Sequence, residues 1–221
     1  LDRDLAELLN FLDQKVGKGE YTVFLTADHA AVQVPAYLKS KKIPAGYFDE
    51  AAFGSLIREH CTSKWGSSEI IEDISNFQIF LNPEKLKELK LSKEEVSNDL
   101  VDLIINYEGV NKALTAMTLQ RTEFTYGMLS RLQKGYNQKL SGDVLWIPDP
   151  AVISYSHHGS THGSGYSYDT HVPVIFYGKG VERGVTHEKV EIIDIAPTIS
   201  SLLKISFPNG SSGRVIESAL K

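Results

Sequence analysis

The chain has 221 residues, of which 42% are hydrophobic and 23% charged, with a formal net charge of -5 and a single cysteine. This is the make-up of an ordinary globular protein long enough to bury a sizeable core. The acidic balance argues against a nucleic-acid surface, Cys61 alone excludes an internal disulfide or a thiolate-rich zinc site, and the longest apolar runs, such as Val172 to Tyr177, are too short to span a membrane.

In chain order, Leu1, Leu5, Leu8, Leu9, Leu12 and Val16 fall on one face of a helix, so the spacing predicts a helix over residues 1–16 with that face buried. Leu1 already lies on the stripe, with no capping residue, initiator Met or leader ahead of it. We therefore expect the chain to open inside a helix of a longer protein. Gly17-Lys18-Gly19 reads as a cap and turn, and Tyr21 to Thr26 as a strand buried on both faces, in a parallel or mixed sheet covered by helices.

The middle of the chain has a different texture. Phe48 to Trp65 reads as a helix and Ile70 to Leu81 as a hairpin. Ser92-Lys93-Glu94-Glu95 is a capping box opening a helix through Ile105. Val110 to Leu119 and Thr122 to Gln133 are expected to be further helices, and Val144 to Ile147 a strand before the Pro148-Asp149-Pro150 turn. Beyond it, Val172 to Gly178 reads as another buried strand with Pro173 at its start, and Asp194 as the N-cap of a helix running to Leu203 with Pro197 in its first turn. The expected class is α/β. Residues 1–47 and 151–221 form two parts of a core sheet covered by helices, and 48–150 form an inserted α+β cap. In such sheets ligands gather beyond the carboxyl ends of the strands.

Two clusters of chemically capable residues stand out, one directly after the first core strand and one in the loop leading into the strand from Val172. Asp28 and His29 directly follow the first strand, where an uncompensated carboxylate is costly to desolvate. A divalent metal removes that cost, and an oxygen ligand beside an imidazole suits zinc. Equally, Asp28 could cap a following helix and His29 lie on the surface. The second cluster runs from Ser156 to His171, with His157, His158, His162 and His171 in a loop rich in Gly and Ser. Small residues let backbone and ligands approach closely, but histidine serves as metal ligand or as acid and base, so richness alone assigns no roles.

Leu25-Thr26-Ala27-Asp28-His29-Ala30, His162-Gly163-Ser164 and Tyr168-Asp169-Thr170-His171-Val172-Pro173-Val174 resemble the C-terminal signature blocks of the alkaline phosphatase superfamily. The likeness is greatest to bacterial alkaline phosphatases of the type I phosphodiesterase/nucleotide pyrophosphatase group. Val190 to Thr198 is similar to the helix start that follows in that superfamily. The resemblance implies two zinc ions per complete site and a Thr or Ser nucleophile that forms a covalent phospho-enzyme. It implies that Asp28 and His29 hold the nucleophile-side zinc and that His162 belongs to the other site. His171 competes with His162, but the family's ligand lies in the His-Gly element.

The same resemblance places the nucleophile and the remaining ligands upstream of Leu1. This chain alone is then expected to be inactive, as the C-terminal portion of a phosphatase acting on small phosphate monoesters. Its partner would be the missing N-terminal part of its own fold, with neither nucleic acid nor membrane bound, in a periplasmic or secreted setting. Alternatives are a phosphodiesterase/nucleotide pyrophosphatase or a sulfatase of the same superfamily, or a non-catalytic zinc-binding domain if the chain is whole.

Overall fold

An apolar stripe needs a partner surface before it is buried, and the first helix shows the consequence. In the computed structural model, which describes residues 1–156 and 158–221, helix α1 spans Asp2–Lys15, yet none of its residues is buried. Leu5, Leu9 and Leu12 are half-covered, whereas Leu8 and Val16 are 45% and 52% exposed. The predicted helix is present and its predicted buried face is not, because the described residues supply too little apolar surface to cover it. The helix ends where expected, with Gly17 at φ 109°, a left-handed conformation that favours glycine.

The residues form two compact units, Leu1–Asp28 with Val172–Lys221, and His29–His171. In the first, strand β1 (Thr22–Leu25) follows α1. The burial on both faces expected here is corrected by the structure: β1 pairs antiparallel with a strand near the C-terminus, Leu25 opposite Ile175 and Thr22 opposite Gly178, and its residues alternate between exposed and half-buried. A two-stranded sheet leaves both outer edges and much of each face open, so a continuous apolar run does not by itself produce burial.

The second unit carries the principal core. Its elements are α2 (Pro35–Ser40), β2 (Gly46–Tyr47), α3 (Glu50–Trp65), β3 (Ile71–Ser75), β4 (Gln78–Leu81), α4 (Pro83–Glu88), α5 (Lys93–Ile104), β5 (Val110–Thr115), α6 (Ala116–Arg121), α7 (Gly127–Gly135), β6 (Val144–Pro148), β7 (Val152–Ile153) and α8 (Ser167–Thr170). Four strands make an antiparallel sheet in the order β3-β4-β6-β5, and β2 pairs with β7 in parallel. Helices α3 and α5 place Phe53, Ile57, Val96, Leu100 and Ile104 in one apolar cluster with Ile79, Val144 and Trp146 of the sheet. All five residues of β6 are buried.

Local chemistry explains most boundaries. Asp49 caps α3 by accepting from the Ala52 N–H, and Ser92 caps α5 by accepting from the Glu95 N–H. Val110 to Thr115, expected as helix, is a strand because it pairs with β6 over its length, from Val110 opposite Pro148 to Thr115 opposite Val144. Pairing against a central strand outweighs a weak helical spacing, and the helix begins only at α6, where Thr115 Oγ1 accepts from the Thr118 N–H. The β3–β4 hairpin turns through Asn76 and Phe77, both at positive φ, 49° and 60°.

The chain then returns to the first unit with β8 (Ile175–Gly178), the partner of β1, and α9 (Ile195–Leu203). Asp194 stands at the N-cap position of α9, but its buried carboxylate accepts from the Glu191 and Arg214 N–H groups instead of from the helix. Thr198 donates to the Asp194 carbonyl and accepts from the Ile216 N–H, which fastens the C-terminal segment to α9. Among the described residues no helix is long and apolar enough to cross a membrane.

Candidate metal centre

Two tyrosines anchor the loop that follows the principal sheet. Tyr166 donates its hydroxyl to the Pro148 carbonyl at 3.0 Å, and the Tyr168 hydroxyl accepts from the Ala151 N–H at 2.9 Å. The two rings stack with centroids 5.4 Å apart. Burial first, then the neighbouring Tyr168 and Asp149, raises the Tyr166 phenol above its ordinary value, so it remains a donor at neutral pH. These bonds hold the one-turn helix α8 at the ends of β6 and β7.

Helix α8 carries Asp169, which is 5% exposed. Its Oδ2 accepts from the Ser164 N–H at 2.9 Å and from the Ser164 hydroxyl at 2.7 Å, and so fixes the loop just after His162-Gly163. The Asp169 carbonyl accepts from the Ala30 N–H at 2.8 Å, and the Ser160 hydroxyl donates to the Val32 carbonyl. Residues 29–32 and 160–169 are thereby tied to one another at two points.

The result is that His29 and His162, distant in sequence, lie face to face, with ring centroids 3.3 Å apart and planes within 13°. Nδ1 of His29 lies 2.8 Å from the Ala30 carbonyl, which can only accept, so Nδ1 donates there, and in the neutral ring Nε2 keeps its lone pair. Donation of the second ring nitrogen to a backbone carbonyl is the arrangement that fixes metal-binding imidazoles.

Two features of these residues are compatible with a divalent metal. The donors are two imidazoles with a carboxylate, Asp28, next to one of them in the chain, an N/O set that zinc accepts. In addition, Oδ1 of Asp169 is buried and finds no partner among the described residues, which is costly for a carboxylate oxygen. Asp28 itself is exposed and is the last residue of the first unit. No helix follows it directly, since α2 starts at Pro35, so the helix-cap reading of Asp28 does not apply. Among the described residues no three His, Cys, Asp or Glu side chains form a closed ligand group.

The other histidines divide clearly. His171 ends α8 and is exposed, His158 is exposed, and His157 lies outside the described residues. Sequence reasoning gave no role to Asp169. Its only signal was a carboxylate shortly after a Gly/Ser-rich turn, and its burial is what singles it out.

Residues 1–173 match the family described as type I phosphodiesterase / nucleotide pyrophosphatase. The chain is 38% identical to a protein of Myroides odoratus named calcium-transporting ATPase, over 100% of this chain and 41% of that one. It is 37% identical to alkaline phosphatase PafA of Elizabethkingia meningoseptica, over 98% and 40% of the two chains. It is 34% identical to alkaline phosphatase PhoV of Synechococcus elongatus, over 100% and 40%. The crystal structure of wild-type PafA superposes with a TM-score of 0.94 at 36% identity, covering 100% of this chain and 42% of PafA. The chain thus spans about two fifths of the length of the relatives it matches. With a family match over most of its length and an α/β fold shared with PafA, this chain belongs to the type I phosphodiesterase / nucleotide pyrophosphatase family of the alkaline phosphatase superfamily.

Proposed function

We propose that this chain forms part of a zinc-dependent phosphatase that hydrolyses phosphate monoesters through a covalent phospho-Thr or phospho-Ser intermediate whose nucleophile lies outside the 221 residues. Within it, Asp28 and His29 would hold one zinc ion and His162 would belong to the ligand set of a second. The observation that carries this reading is the face-to-face placement of His29 and His162 in a chain whose relatives include alkaline phosphatases. A bound zinc pair supplies Lewis-acid stabilisation of the charge that develops on the ester oxygens.

The chain's own residues do the positioning. Asp169 holds the turn that presents His162, the Ala30 carbonyl orients the His29 ring, and the Ala30–Asp169 bond keeps the two histidine segments together. The remaining ligands and the nucleophile would come from the rest of the fold. The uncovered apolar side chains of the first unit, Phe24 at 46% and Ile175 at 52% exposure, are the surface that portion would cover. A periplasmic or secreted setting belongs to the same proposal, as does a small-molecule phosphate ester as the substrate.

Calorimetric titration of the chain with zinc is the test. Binding is expected to be weak and to be lost in Asp28→Ala and in His29→Ala, with no turnover of an aryl phosphate by this chain alone. Tight zinc binding unchanged in both variants, or turnover that survives Asp28→Ala, would refute the assignment.

A further inference from the structure

A cavity of about 240 Å³ lies within the second unit, walled by the β3–β4 turn, α7, β6 and the loop that follows His162. Its apolar wall includes Phe77, Met128, Leu132, Leu145 and Trp146, and Arg131 is its one charged lining residue. Gly163 and Gly165 line it as well, together with the polar residues Asn76, Gln78, Tyr136, Ser141 and Ser164. A side-chain carbon added at Gly163 would stand 3.4 Å from the Phe77 ring, and one at Gly165 would collide with the Met128 sulfur at 2.5 Å. The cavity therefore begins one residue beyond His162.

Three observations indicate what fits there. First, the walls are aromatic and thioether surface: Phe77 and Trp146 meet edge to face with centroids 5.7 Å apart, an arrangement that accepts a further ring. Second, Trp146 itself lines the cavity, and its indole N–H finds no acceptor among the described residues, so the indole resonance reports on this wall. Third, Phe77 occupies a left-handed turn position, φ 60°, where glycine is the usual residue. The chain sustains that strain and thereby keeps a large ring at this wall. Roughly 150 Å³ of apolar space admits a benzene ring, so one or two fused rings suit the volume found here. Arg131, whose Nη1 donates to the Gly165 carbonyl at 2.6 Å, gives the cavity a positive margin toward the His162 loop.

We infer that this cavity binds the aromatic alcohol portion of an aryl phosphate ester. The inference rests on the phosphatase reading for the phosphate and on the cavity alone for the ring. The test uses the 221-residue chain carrying Trp65→Phe, so that Trp146 gives the one indole N–H resonance, titrated without metal by 2-naphthol, 2-naphthyl phosphate, cyclohexanol and inorganic phosphate. The Trp146 resonance should shift saturably with both naphthyl compounds and not with cyclohexanol or phosphate. Met128→Ala and Leu132→Ala, both at half-buried positions, should each weaken naphthol binding up to about tenfold, the loss expected for one apolar wall side chain. No saturable shift with naphthol, an equal shift with cyclohexanol, or affinity unchanged in both variants would overturn the inference. The zinc titration reports separately on the phosphatase reading, so failure of one is distinguishable from failure of the other.

Discussion

Replacing Asp169 by Ala removes two hydrogen bonds to a buried carboxylate, those from the Ser164 N–H and the Ser164 hydroxyl. Hydrogen bonds to charged groups contribute about 1.5–3 kcal/mol each. Ser164 is only half-buried and regains water once the carboxylate is gone, and removing Asp169 also relieves the burial of its unpartnered Oδ1, so a net loss of about 1–2 kcal/mol is expected. Ser164→Ala removes the hydroxyl bond alone and should cost about 1 kcal/mol. The double variant should then be less destabilised than the sum of the two by about 1 kcal/mol, because the shared bond is lost once. Denaturant unfolding followed by tryptophan fluorescence measures this in the relevant place, since Trp65 and Trp146 both belong to the unit of residues 29–171. Asp169→Asn keeps a neutral acceptor and should fall between wild type and Asp169→Ala. A loss below about 0.5 kcal/mol for Asp169→Ala, with coupling near zero, would show that the loop beside His162 is held by something else.

Other outcomes follow from the same structure. Cys61 is fully buried, and burial, with the nearby Asp99 charge, pushes its thiol up to about 11; alkylating reagents should leave it untouched in native buffer and modify it only after unfolding. Burial opposes the charge on Asp99, but hydrogen bonds from Lys64 and His60 together outweigh it and hold this carboxyl below its usual range. A lowered folded-state value stabilises above the unfolded value, near pH 4, and that contribution disappears as pH falls through the folded one. Asp99→Asn should therefore cost about 0.5–1 kcal/mol at pH 7, the scale of a partly exposed pair, and progressively less as pH falls below the unfolded value near 4. Phe53→Ala, which empties a 1% exposed site packed against Trp146 and Tyr107, should cost about 3–5 kcal/mol by chemical denaturation. Phe77→Gly loses a ring but relieves a left-handed residue worth about 1–2 kcal/mol, so its net cost should stay well under that of Phe53→Ala.

What the sequence revealed and what it concealed divide along one physical line. Elements whose signal is local were legible: α1 from its spacing, α3 and α5 from their apolar face and the Ser92 cap, the hairpin around residue 76, and the all-buried β6. Burial was not, because it depends on what lies opposite. Tyr21 to Thr26 has the composition of a strand covered on both sides, yet among the described residues β1 pairs only with β8 and its residues alternate between exposed and half-buried. Val110 to Thr115 departs from the expected helix for a related reason, since its conformation is set by pairing with β6, between 29 and 38 residues on. The site shows the same division. His29 stood out by residue type beside Asp28, and His162 was singled out among the loop histidines only by the family resemblance, but the residue that fixes the His162 loop, Asp169, resembles any polar loop residue until its burial and its two bonds to Ser164 are seen. Phe77 is a stronger case: nothing in an Asn-Phe pair forecasts a left-handed phenylalanine, and only the ring's place against Trp146 and Gly163 gives that strain a reason.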